Sequence, residues 1–131
     1  MKVLALDHGR ARTGVAVSDP TGALARPLPA IRRVESPAGR DELRAVVARE
    51  APAMIVVGDP RHLSGARGEQ ARSAEAFARR LQRDLGLPVE MVDERLTSVE
   101  AGRRARESGS TADLDSLAAC VLLEAYLMGR G

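Results

Sequence analysis

Residues 2–19, KVLALDHGRARTGVAVSD, constrain the fold of this chain more than any other stretch. Val3, Leu4, Ala5 and Leu6 form a short apolar run that stops at Asp7. A polar turn bearing Gly9 follows, and then a second run, GVAVSD. Short Val-rich runs bounded by turn residues predict strands, and two joined this closely predict an antiparallel hairpin. The first run is apolar throughout, as suits a strand at the centre of a sheet with both faces covered. Asp7 stands where that strand leaves the core. A carboxylate there is held rigidly and still reaches solvent, a position suited to metal or phosphate chemistry. Asp is also an ordinary turn residue, so the rest of the chain must decide.

After the hairpin, DPTG at 19–22 predicts a turn with Pro at its second position. Pro27 and Pro29 confine residues 23–33 to an edge strand or a bulge. Leu43, Val46 and Val47 recur at helical spacing before Pro52. MIVVG at 54–58 predicts a buried strand that ends at Asp59. A polar loop with Gly65 and Gly68 leads to a helix over 69–85, apolar at Ala74, Phe77, Ala78, Leu81 and Leu85, with Gly86 as its stop. LPVEMV at 87–92 is a further strand and also ends in acid, Asp93 and Glu94. TSVE at 97–100 is a capping box for a short helix. The last helix carries Leu114, Leu117, Ala118, Val121, Leu122 and Ala125. A meander followed by strand–helix–strand crossovers implies an α/β fold. Its mixed five-stranded sheet has three antiparallel strands, then two parallel ones, with helices flanking it and the first strand central.

The length of 131 residues suits one domain, 1–131, with one sizeable core. Phe77 and Tyr126 are the only aromatics, so no aromatic platform is available for stacking bases. No apolar run approaches the roughly 18 residues of a membrane span, and no signal peptide stands out. The single cysteine, Cys120, excludes an internal disulfide and a cysteine zinc cluster, and reads as packing. A cytoplasmic protein is expected. Net charge is only +2, yet Lys2 is the only lysine and the other cations are arginines, whose forks suit phosphate.

In open sheets, ligands bind beyond the carboxyl ends of the strands. Here three strands finish in carboxylates: Asp7, Asp59 and the Asp93–Glu94 pair. The last helix adds Asp113, read as a cap, and Asp115. Converging carboxylates need a cation to stay ionised together. A hard divalent ion, Mg²⁺ or Mn²⁺, is the natural one. Carboxylates holding two such ions about 3.5–4 Å apart hydrolyse phosphodiesters. The loop with Arg61 and Arg67 follows a strand at the acidic edge and reads as a phosphate contact. His8 and His62 lie in loops without metal-ligand spacing and read as solvated.

Four segments together resemble the YqgF/RuvX family of RNase H-like nucleases. LALDHGRARTGVAVSD is similar to its first motif, D-x-G-x-x-R-x-G-x-A-x-S-D, and IVVGDPRHLSGARGEQARSAEAFARRL to its second. VDERLTSVEA matches the third and DSLAACVLLEAYL the last, D-x-x-A-A. The matches stand in order and span nearly the whole chain. Asp59 departs from the pattern, in which an apolar residue is usual. GSTAD before the last helix is shorter and less basic than usual.

The resemblance implies an RNase H-like fold and a metal-dependent nuclease that trims the 5′ end of the precursor of 16S ribosomal RNA. It implies an acidic triad of Asp7, Glu94 and Asp115 holding the ions, with Arg12 and Arg95 on motif positions beside it. Arg12, Arg61 and Arg67 are then expected to hold phosphates. The expected partners are precursor ribosomal RNA, within a ribosomal precursor particle or free, with no membrane. The same apparatus would cut a four-way DNA junction, for which a homodimer is the natural form; a monomer favours RNA trimming. An idle, RNA-binding assembly factor is the other alternative. An ATP-binding protein of the actin–sugar kinase type shares the opening D-x-G-x-x-x-x-G, but needs a second domain to close over the nucleotide.

Overall fold

The computed structural model describes residues 1–9, 11–59, 69–93 and 114–130. The chain begins with β1 (Val3–Asp7), β2 (Arg12–Ser18) and β3 (Ala25–Arg32). Then come α1 (Pro37–Glu50), β4 (Met54–Asp59), α2 (Glu69–Leu85), β5 (Val89–Asp93) and α3 (Leu114–Arg130). The helix expected from TSVE lies outside the described residues.

The five strands form one sheet in the order β3-β2-β1-β4-β5, so the first strand is central, as its apolar run predicts. β1, β2 and β3 form the antiparallel meander, while β4 runs parallel to β1 and β5 parallel to β4. The carboxyl ends of the three parallel strands therefore share one edge, where Asp59 pairs in register with Asp93 and Asp7 with Gly14 of β2. The proline-bearing strand is both edge and bulge. Thr13 pairs with Ile31 and Val15 with Leu28, so β3 carries one extra residue around Pro29.

Period-two alternation divides the core between two faces. Leu4, Leu6, Val15, Val17, Ile55 and Val57 meet α1 through Leu43 and Val46, and α2 through Ala74, Phe77, Ala78 and Leu81. Val3, Ala5, Ala16 and Val56 meet α3 through Ala119, Cys120 and Leu123. Local signals set the helix ends. The Ser36 hydroxyl caps α1 by accepting from Gly39 N at 3.1 Å, with Pro37 opening the helix. Gly86, at φ +68°, stops α2 by donating to Gln82 O at 3.1 Å.

The sequence marks Leu114, Leu117, Ala118, Val121, Leu122 and Ala125 as apolar residues of α3 and Cys120 as packing. The residues that meet the sheet are Ser116, Ala119, Cys120 and Leu123, while Ala125 is exposed. Val121 and Leu122 are buried as well, so α3 is apolar on more than one side and periodicity could not choose. Its small side chains face the sheet because the helix lies close against Gly14 of β2.

Candidate metal-binding edge

At the carboxyl edge of the sheet the backbones of two of the three expected acids, Asp7 and Asp115, each stand against Gly14. Asp7 ends β1 in register with Gly14. It shares its alternation with Val3 and Ala5, the residues of β1 that meet α3. Gly14 is the hinge of the arrangement. A Cβ there would stand 1.8 Å from the Asp115 carbonyl oxygen and 2.9 Å from Ser116 N, so only glycine lets the first turn of α3 reach β2. The α3 turn that carries Asp115 thus stands beside the strand pair that carries Asp7. Gly9 serves the turn between the strands in the same way, since a Cβ would lie 2.3 Å from Arg12 O.

Arg12 pairs with Asp115, Nε to Oδ2, at 3.2 Å. Their side chains are 59% and 35% exposed, so the pair is worth no more than about 1 kcal/mol and can exchange for another ligand. Two neighbouring carboxylates supply oxygen donors of the kind hard cations take. Among the described residues no three metal-ligating side chains cluster. Glu94, Arg61, Arg67 and Arg95 lie outside the described residues, as do His62 and Asp113. In β5, Val92 packs on the α3 side.

His8 is a correction. It was expected in solvent, but its side chain is only 8% exposed. Leu4, Leu6 and His8 alternate onto the opposite face from Asp7, and the His8 ring stacks on Phe77 with centroids 4.4 Å apart and planes 21° off parallel. Nε2 lies 3.5 Å from Glu35 Oε2; Glu35 also pairs with Arg80, whose guanidinium sits 5.5 Å from the Phe77 centroid. Burial holds the His8 pKa below the usual imidazole value against the opposing pull of Glu35. Burial pushes Glu35 upward, but the hydrogen bond and charge of Arg80, with His8, bring it below the usual carboxylate value. The chain is therefore pinned on one face immediately after Asp7 projects toward the other. The alternation of β1 was the sequence signal for this, and it needed only to be carried one residue past Asp7.

Ser116 gave no signal in the sequence. It is fully buried: its hydroxyl accepts from Val15 N at 3.2 Å and donates to Leu28 O at 2.6 Å.

A family model described as RuvX: Holliday junction resolvase matches residues 1–129. The chain belongs to the RuvX family. A RuvX relative from Moorella thermoacetica is 42% identical, over 97% of this chain and 94% of its own length. One from Anaeromyxobacter is 41% identical, over 99% of this chain and 98% of its own. Both are named as candidate pre-16S rRNA nucleases. Among solved structures, Thermus thermophilus RuvC bound to a Holliday junction superposes with a TM-score of 0.63 at 19% identity, covering 99% of this chain and 96% of that one. The fowlpox virus resolvase does so at 0.58 and 10%, covering 99% of each chain. These likenesses establish an RNase H-like α/β fold.

Proposed function

We propose that this chain is a metal-dependent nuclease, a single domain that hydrolyses phosphodiester bonds and trims the 5′ end of 16S ribosomal RNA precursors in the cytoplasm. The observation that carries the reading is the close approach of the Asp115 backbone to Gly14, the register partner of Asp7, at the carboxyl edge of the sheet. Relatives named as candidate pre-16S rRNA nucleases support the substrate.

In this reading Asp7, Glu94 and Asp115 hold two Mg²⁺ or Mn²⁺ ions. When bound, the ions supply a nucleophilic hydroxide at neutral pH and offset charge on the attacking and leaving oxygens. Asp7 from the end of the central strand, Asp115 from the first turn of α3, and Glu94 would be the carboxylates that hold the ions. Arg12 balances Asp115 in the resting protein, and its exposed fork can turn to a backbone phosphate. Arg61, Arg67 and Arg95 extend that grip along the nucleic acid, free or within a ribosomal precursor particle.

Resolution of four-way DNA junctions is the second reading. It is favoured by the family description and by the likeness to a RuvC solved on a junction. Junctions need two active sites at fixed spacing, hence a homodimer; trimming needs only a monomer. Cleavage of a precursor rRNA fragment and of a four-way junction, run side by side with Mn²⁺, separates the two. The RNA is expected to be cut at least about tenfold faster, since phosphate contacts alone carry no substrate preference and the relatives point to RNA. Faster cutting of the junction by a dimeric protein would reverse the assignment.

A further inference from the structure

At the bulge between β2 and β3, Val15 and Leu28 are register partners. The Ser116 hydroxyl reaches the backbone of both, accepting from Val15 N at 3.2 Å and donating to Leu28 O at 2.6 Å. A helix side chain thus ties the two strands to α3. Ser116 is wholly buried, and it directly follows Asp115, whose carbonyl is the atom packed against Gly14. The two hydrogen bonds anchor the first turn of α3 to β2 and β3, and so fix where that turn stands on the sheet. We infer that Ser116 is a positioning residue for Asp115. By threading its hydroxyl into the bulge it sets the place of the Asp115 carboxylate beside Asp7, and so the affinity of the edge for a divalent cation. The inference rests on the metal-dependent nuclease reading and deepens it.

Ser18 supplies a matched control. Its hydroxyl is also buried and accepts a backbone bond, from Val3 N at 2.8 Å, but at the amino end of β1, away from Asp7. The test compares wild type, Ser116→Ala, Ser18→Ala and Asp115→Asn by Mn²⁺ titration calorimetry, by melting temperature, and by kcat and KM for cleavage. Both serine variants should melt lower than wild type. Only Ser116→Ala should also bind Mn²⁺ about 3- to 30-fold more weakly and lose kcat by about tenfold, with KM for the nucleic acid within about twofold of wild type; a group misplaced slightly costs the chemical step, not uniform binding. Excess Mn²⁺ should restore much of the loss. Ser116→Cys, close in size and a weak donor, should fall between the two and serves if the alanine variant does not fold. Equal Mn²⁺ affinity and kcat in Ser116→Ala, Ser18→Ala and wild type, while Asp115→Asn loses both, would overturn the positioning role alone. Unchanged Mn²⁺ affinity and cleavage in Asp115→Asn would overturn the metal-site reading and the inference together.

Discussion

A single carboxylate can organise a turn as firmly as one can hold a metal, and Asp19 does the former. Its oxygens accept from Thr21 Oγ1 at 2.6 Å, Ala23 N at 2.8 Å and Leu24 N at 3.0 Å. The Thr21 bond is the largest influence and, with the backbone bonds, pulls the Asp19 pKa from 3.8 down to about 2. A depressed carboxylate stabilises the fold above its unfolded value and loses that contribution as pH falls through its folded one. Asp19→Ala should therefore be less stable than wild type at pH 7, and the gap should shrink between pH 4 and pH 2. Urea denaturation across that range checks it, and a gap independent of pH would contradict it. At this scale the sequence was informative wherever a residue acts through its own neighbours: DPTG announces its turn, and Asp7 its place at a strand end. For His8 the alternation of β1 indicates the face, but nothing local marks its partner in the stack, Phe77, some seventy positions away in the chain.

Elements meet where side chains allow it, and at the β2–α3 contact a missing side chain decides. Gly14 is not in the left-handed region; its value is the space that it leaves for the Asp115 carbonyl. Gly14→Ala must push the first turn of α3 away, because the atoms met are backbone and cannot swing aside. Destabilisation of about 1–3 kcal/mol is expected from overpacking, with cleavage reduced by more than about 100-fold because Asp115 moves with the turn. Denaturant melts and a cleavage assay on the folded variant measure the two effects. Full activity in Gly14→Ala would show that the close approach is dispensable. The central strands were legible as short, wholly apolar runs, and the first two helices because their apolar patterns are local and one-sided. α2 runs over the predicted residues and buries the predicted face, and the two prolines place β3 at the edge. α3 was legible as a helix but not in its rotation. With apolar residues on several sides, only the partner surface, Gly14, Ala16 and Ala5, selects the small-residue stripe.

For the molecule as a whole, charge is arranged by sheet edge. At the amino edge, Glu50 is held by Lys2 at 3.0 Å and by Arg26 and Arg49 at 3.2 Å each, tying β1, β3 and α1 together; the Lys2 bond foremost lowers its pKa. At the carboxyl edge, Asp7 and Asp115 gather with Arg12. The amino edge is a structural knot, while at the carboxyl edge the described Arg12–Asp115 pair is partly exposed. The parallel order β1-β4-β5 produces this division; the meander and crossovers in the sequence imply the central first strand and the parallel later ones, and the structure supplies their order. The most direct test of the central claim is metal-dependent cleavage of a precursor ribosomal RNA fragment by wild type and by Asp7→Asn. The substitution keeps size and removes the charge. Wild type should cut with Mn²⁺ or Mg²⁺ and not with a chelator present. Asp7→Asn, folded as wild type, should lose at least about 100-fold, as removal of a charge-stabilising group does. Equal cutting by the two proteins would contradict a metal site at Asp7.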